Sequence, residues 1–245
     1  LSFDDLRREV RGISSTLVAG LVYPDEAHVH AHRVLEGLDR AGRTHGVQIE
    51  TDFEVHRVQL TPDGVAVLAK DGRRHGADRL VVAAGPWSGG FLAQLGVTAV
   101  VEPVRGQICA VEMPSGSLPR IVFGDHGYVL QKRSGITLVG ATEERVGFEP
   151  WATLGATGEL AQVAEGLFPA AGTAPLVHTW AGLRPHAPGG PLLGRVPQSD
   201  RVLLATGHHR NGILLAPATA VLIKEALVSG SDPADLLPFS PARCG

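Results

Sequence analysis

The apolar positions change period several times along the chain. Phe3, Leu6 and Val10 recur at helical spacing behind Ser2 and Asp5, which are placed to cap each other, so a short helix is expected at the start. Val34, Leu35, Leu38 and Ala41 repeat the helical period between His30 and Gly46, and Gly46 suits a helix C-terminus. The pattern then shortens. FEVHRVQL, a PDG turn, VAVLAK, a DG turn and DRLVVAAG read as a small meander leading to a more buried strand that stops at Gly85. A short helix from Trp87 and Ser88 to Gly96 is expected next, then strands in VEPVRGQICAVEM, YVLQKR and ITLVGAT. GELAQVAEGLF returns to helical period, and RVLLATGH with NGILLAPATAVLIKEALV closes the chain as strand, loop and long helix.

The order predicts a mixed α/β (α+β) fold. Its middle is mostly antiparallel, whereas the strand-then-helix pairs near Gly85 and Gly207 suit a nucleotide-binding layer. No fixed-period repeat or Gly/Ser linker separates these regions, so two domains are expected to interleave.

Composition narrows the function classes. With 245 residues, 44% of them hydrophobic, the chain can bury a core of ordinary size. A net charge of −3 with scattered signs gives no footprint for nucleic acid or an anionic membrane, and no apolar run approaches the roughly 18 residues of a membrane span. Cys109 and Cys244 form no C-x-x-C, which favours a reducing compartment and a cytoplasmic location. Arginine outnumbers lysine 19 to 3, so each arginine must be judged by its neighbours.

Four stretches carry candidate chemistry. Gly85 ends a buried strand where a missing side chain lets the backbone approach a flat or phosphorylated ligand, although any strand followed by a glycine turn looks the same. HVHAHR offers His28, His30 and His32 at spacing two, but the helical period that follows makes them solvated or capping residues, and no metal is assigned. In WAGLRPHAPGGPLLG, Arg184 lies between a short apolar strand and rigid turns, where a guanidinium can grip a carboxylate through two parallel hydrogen bonds or pair with a surface acid. GHHRNGILLAP places His208, His209, Arg210 and Asn211 between Gly207 and Gly212, at the start of the last helix. Unpaired amides and the positive dipole end favour an electron-rich partner there; a plain capped helix is the alternative.

Taken together, W-AGLRP, PLLG and GHHRNGILLAPATA resemble the C-terminal signature of the D-amino-acid oxidase superfamily of flavoproteins, and most closely the glycine oxidases of thiamine biosynthesis. VVAAGPWSG, PVRGQ and DHGYVLQKRSGITLVGATEERVGFE follow the family's order upstream, so the resemblance covers nearly the whole chain. It implies an FAD-binding Rossmann-like layer interleaved with a mostly antiparallel substrate-binding sheet. Residues 1–24 and 91–178 would form the substrate part, and 25–90 and 179–245 the FAD part. It further implies that Arg184, assisted by Tyr128 and Arg210, binds an amino-acid carboxylate. Val55, Ala84, Gly85 and the loop His208, His209, Arg210, Asn211, Gly212, Ile213 and Leu214 would meet FAD.

The implied reaction is oxidative deamination of glycine with molecular oxygen. No side chain is assigned as catalytic acid, base or nucleophile. The alternatives are a D-amino-acid or sarcosine oxidase or dehydrogenase, and a non-catalytic remnant that binds a small acid; homo-oligomerisation stays open. Gln131 and Lys132 stand where the family has Pro-Arg, and His30 and Ala31 where it has Asp-Pro, which bears on the substrate. The cofactor meets a larger departure. A dinucleotide fold needs G-x-G-x-x-G, yet nowhere in this chain are two glycines separated by one residue. The phosphate loop is therefore expected in a segment that would precede Leu1, with this chain as the C-terminal part of a flavoenzyme.

Overall fold

The computed structural model describes residues 1–244, in which the chain divides into two compact units. One comprises Leu1–Glu26 and Val104–Leu183, the other Ala27–Pro103 and Arg184–Gly245. Residues 91–103, grouped above with the substrate part, belong to the second unit because Leu92, Leu95, Val97 and Val101 are buried in its core.

The first unit opens with α1 (Phe3–Glu9), closed by the expected reciprocal cap: the Ser2 hydroxyl accepts from the Asp5 amide, and the Asp5 carboxylate accepts from the Ser2 amide. Its sheet runs in the order β6 (Val122–Gly124), β7 (Gly127–Gln131), β8 (Ile136–Gly140), β5 (Glu102–Glu112), β9 (Leu176–His186). Pairing is antiparallel from β6 through β5. Helix α4 (Leu154–Leu167), N-capped by Thr153, lays Leu160, Ala164 and Leu167 in one core with Val129 and Val139 of the sheet and Phe168. A single turn, α5 (Pro169–Gly172), follows it. Cys109 is a free thiol in this core, and burial pushes its pKa up; the Cys244 side chain lies outside the described residues.

The second unit contains α2 (Ala31–Thr44) and the antiparallel meander β1 (Val55–Thr61), β2 (Gly64–Ala69), β3 (Arg74–Ala77). A second sheet has the order β10 (Leu192–Val196), β11 (Ser199–Thr206), β4 (Leu80–Val82), antiparallel between the first two and parallel between the last two. The expected helix near Trp87 forms as a 3-10 turn, the four-residue α3 (Gly89–Leu92) and a second 3-10 turn closed by Gly96 in the left-handed region. The long last helix is α6 (Gly212–Ser229).

Two expectations are modified. Helix α2 forms where its period places it, yet none of its residues is buried, and Leu35 and Leu38 face solvent. The last helix, counted from His209 to Ser229, is long and apolar enough by length and composition to cross a membrane, despite the Lys224–Glu225 interruption that hides it from a search for uninterrupted apolar runs.

Candidate functional site

The GHHRNG stretch sits where a strand must become a helix. Strand β11 ends at Thr206, and Gly207 turns the chain with φ +80°, in a space where an added Cβ would come within 2.7 Å of the Ala187 Cβ. Glycine is required there on both counts. His208 is half-buried, and its Nε2 lies 3.0 Å from the Thr219 hydroxyl of α6. Burial pushes its pKa below the ordinary histidine value. His209 takes φ +51°, a left-handed conformation uncommon for a residue with a side chain, and its ring meets the His186 ring edge-on at 5.0 Å. A 3-10 turn over His209–Asn211 then delivers the chain into α6, whose N-cap residue, Asn211, makes no side-chain cap bond.

This loop pairs with the end of β9. An isolated antiparallel bridge joins His186 to His208, so Arg184 lies two residues along the strand from the loop's anchor point. The two motifs whose resemblance implies carboxylate binding and flavin contact therefore meet in one unit. Arg184 is half-buried and Arg210 exposed. Gly212 is less constrained than its neighbours: the nearest atom to an added Cβ is the His208 Cβ at 3.7 Å, an ordinary contact.

Gly85 completes this end of the sheet. Thr206 Oγ1 donates to the Gly85 carbonyl at 3.0 Å, tying the ends of β4 and β11 together. Gly85 has φ +54° and nothing within 4 Å of where a Cβ would stand, so the backbone there is open to close approach. Ala84 packs against the core below, and Val55 opens β1 opposite Ala69. Ile213 and Leu214, in the first turn of α6, are exposed.

Tyr128 belongs to the first unit. It pairs with Gly140 across β7 and β8, and an added Cβ on Gly140 would fall 2.6 Å from its hydroxyl oxygen; the missing side chain is what lets the phenol lie across the strand. Phe123, exposed on β6, packs against the same ring at 5.1 Å. Gln131, in place of the family's proline, ties its side chain to the backbone of Pro114, Leu118 and Gly135. Burial lowers the pKa of Lys132.

Reading single motifs missed a polar network that joins two of them. Arg105 of PVRGQ has a side chain only 5% exposed and donates to Glu144 Oε2 at 2.6 Å. Glu144, from ATEERVGFE, also accepts from Gln107 Nε2 at 2.7 Å and from the Thr142 hydroxyl. The donors hold its carboxyl below its ordinary pKa, outweighing the opposing effect of partial burial. Gln107 Oε1 in turn accepts from the amide of Thr153, the cap of α4. The signal available in sequence was a buried-strand arginine and glutamine followed by an acidic loop. Among the described residues no group of three or more His, Cys, Asp or Glu is placed to hold a metal, and His30 and His32 are exposed with ring centroids 6.1 Å apart.

A mixed layer whose glycine-bearing strand ends lie beside a helix start is the arrangement of an α/β nucleotide-cofactor protein. Residues 1–226 match the FAD dependent oxidoreductase (DAO) family, and the chain belongs to it. It is 34% identical over 205 residues to the glycine oxidase of Bacillus licheniformis, covering 83% of this chain and 55% of that protein. It is also 34% identical over 249 residues to the bifunctional protein ThiO/ThiG of Synechocystis, covering 99% of this chain and 37% of that one. The crystal structure of glycine oxidase from Geobacillus kaustophilus superposes with a TM-score of 0.93 at 29% identity, covering 99% of this chain and 66% of that chain. The chain thus spans between about a third and two thirds of the length of these relatives.

Proposed function

We propose that this chain forms part of an FAD-dependent oxidase that converts glycine to glyoxylate, ammonia and hydrogen peroxide in the cytoplasm, in the service of thiamine biosynthesis. The observation that carries the reading is the pairing of the Arg184 strand end with the GHHRNG loop through His186 and His208, in a chain similar to glycine oxidases over most of its length. The second unit serves FAD and, through Arg184 and Arg210, the substrate carboxylate.

The residues fit the two ends of FAD. The left-handed, open backbone at Gly85 and the start of an 18-residue helix behind His208–Leu214 suit a planar ring that gains negative charge on reduction, and Val55 suits the adenine end. Nowhere in this sequence do two glycines stand with one residue between them, the spacing that lets a backbone cradle a pyrophosphate. When bound, FAD supplies the two-electron acceptor for oxidation of the Cα–N bond. Arg184 holds the substrate carboxylate through its planar fork, assisted by Arg210 of the same unit, so the Cα hydrogen is presented in one orientation. The protein's contribution is positioning.

The test is a panel of amines offered to the flavin-loaded protein with peroxide release as the readout. Glycine and sarcosine are expected to be turned over faster than D-phenylalanine or D-glutamate. The reverse order assigns a different D-amino acid as substrate, and no turnover with flavin bound favours the non-catalytic reading.

A further inference from the structure

His209 stands in a conformation that its own side chain disfavours. Its φ of +51° lies in the left-handed region, where the Cβ of an L-residue crowds the neighbouring carbonyl. Gly207, two residues earlier, takes the same region freely. A residue with a side chain holds such a backbone only where its surroundings fix it from several directions.

Those directions are visible around His209. The Asn211 amide donates to the His208 carbonyl at 3.0 Å and closes a tight turn about it. His208, on the N-terminal side, is tied to α6 through Thr219 and to β9 through its bridge with His186. The ring of His209 meets the ring of His186 edge-on, with centroids 5.0 Å apart and planes at 73°. This is an arrangement that aromatic rings prefer, the positive edge of one against the negative face of the other.

His186 can bear on His209 because it is itself fixed. It is the last residue of β9, and the next residue, Ala187, is buried in the core and lies against Gly207. What its ring supports is the residue immediately before Arg210. Relaxing His209 to the right-handed region would change φ by roughly 110° and redirect both Arg210 and the turn into α6.

We infer that His186 is a positioning residue: through the edge-on contact it holds His209 in the left-handed conformation, and so sets where Arg210 presents its guanidinium. The carboxylate-binding role of Arg210 rests on the reading above; the brace on His209 does not.

The experiment follows two properties of the 245-residue chain, neither of which needs flavin. One is amide exchange at residues 209–212, and the other is the dissociation constant for acetate, read from the Nε–H signals of Arg184 and Arg210. His186→Ala, checked for unchanged circular dichroism, should speed exchange by about tenfold and weaken acetate binding by about threefold or more. His186→Phe keeps a ring without its nitrogens and should restore both to within about twofold of the wild type. His209→Gly reaches the left-handed region without support, so His186→Ala added to it should move neither property by more than about twofold. Three results overturn the inference: loop exchange unchanged in His186→Ala, no rescue by His186→Phe, or an effect of His186→Ala as large in the His209→Gly background as alone. The last would place the effect of His186 in β9 rather than in the loop. Faster loop exchange with acetate binding unchanged would uphold the brace and sink the carboxylate reading of Arg210.

Discussion

Replacing Glu144 by Gln keeps the shape of the side chain and removes its charge. The backbones of Arg105 and Glu144 hold each other through two hydrogen bonds of 2.8 and 2.9 Å, so the substitution should act on the side-chain network alone. Breaking a fully buried ion pair costs about 3–5 kcal/mol because the remaining charge is stranded. Two features reduce that figure here. Glu144 is itself 27% exposed, and the Glu149 carboxylate, 3.5 Å from Arg105 Nη1, supplies a second partner. A loss of about 2 kcal/mol in the stability of the first unit is expected, in line with one charge-assisted hydrogen bond. With a urea dependence of about 1–3 kcal/mol per molar, the unfolding midpoint should fall by roughly 1 M. The readout should be amide exchange within β5, β7 and β8, since two units need not unfold in one step. Acid supplies a second check. Because the folded carboxyl titrates below its ordinary 4.5, its contribution is complete above that pH and is lost as pH falls through the folded value. The Gln variant should therefore match the wild type in acid and diverge from it as pH rises through the folded value, with no further change above about 4.5. A neutral-pH loss below about 0.5 kcal/mol, the scatter of ordinary surface substitutions, would refute the assignment of Glu144 as the centre of the network.

Three further outcomes are expected. Arg184→Ala should lower kcat/KM of the flavin-loaded protein by on the order of a hundredfold while leaving flavin absorbance intact, and Arg184→Lys should recover little of it. Gly207→Ala should cost about 2 kcal/mol or more, from a left-handed φ and a 2.7 Å clash with Ala187, seen as a drop in the thermal midpoint of the second unit. His208 titrates below the ordinary 6.5 because it is buried, so its contribution is complete above that pH; loop stability, read by exchange at residues 207–212, should fall below it, and His208→Gln should flatten that dependence.

How much of this was legible in the sequence depends on whether an element's reason for forming is local. The Ser2–Asp5 cap, the period of α2 and the Gly85 and Gly207 turns carry their reason in adjacent residues, and each forms as expected. Strand β3, RHGA, has no apolar alternation; it exists because β2 offers it a ladder from Val65–Ala77 to Leu68–Arg74. Strand β6 is three residues long and pairs only through a tight turn to β7. The Arg105–Glu144 contact spans 39 positions, and no window short enough to show a period contains both partners. The candidate site divides the same way: the GHHRNG loop announces itself by its glycines, while its anchor at His186 appears only when β9 is laid beside it.

The same distinction explains where the apolar surface falls. A local pattern states that a face is apolar, not what covers it. In α4 the stripe Leu160, Ala164 and Leu167 finds a sheet within its own unit. In α2 and on the outer flank of α6 the pattern is as regular, yet Leu35, Leu38, Leu214, Val221 and Val228 remain exposed. Single exposed leucines are ordinary on any protein, but two helices of one unit with unmet faces, beside a sheet that stops at a doubly apolar strand, are a joint departure.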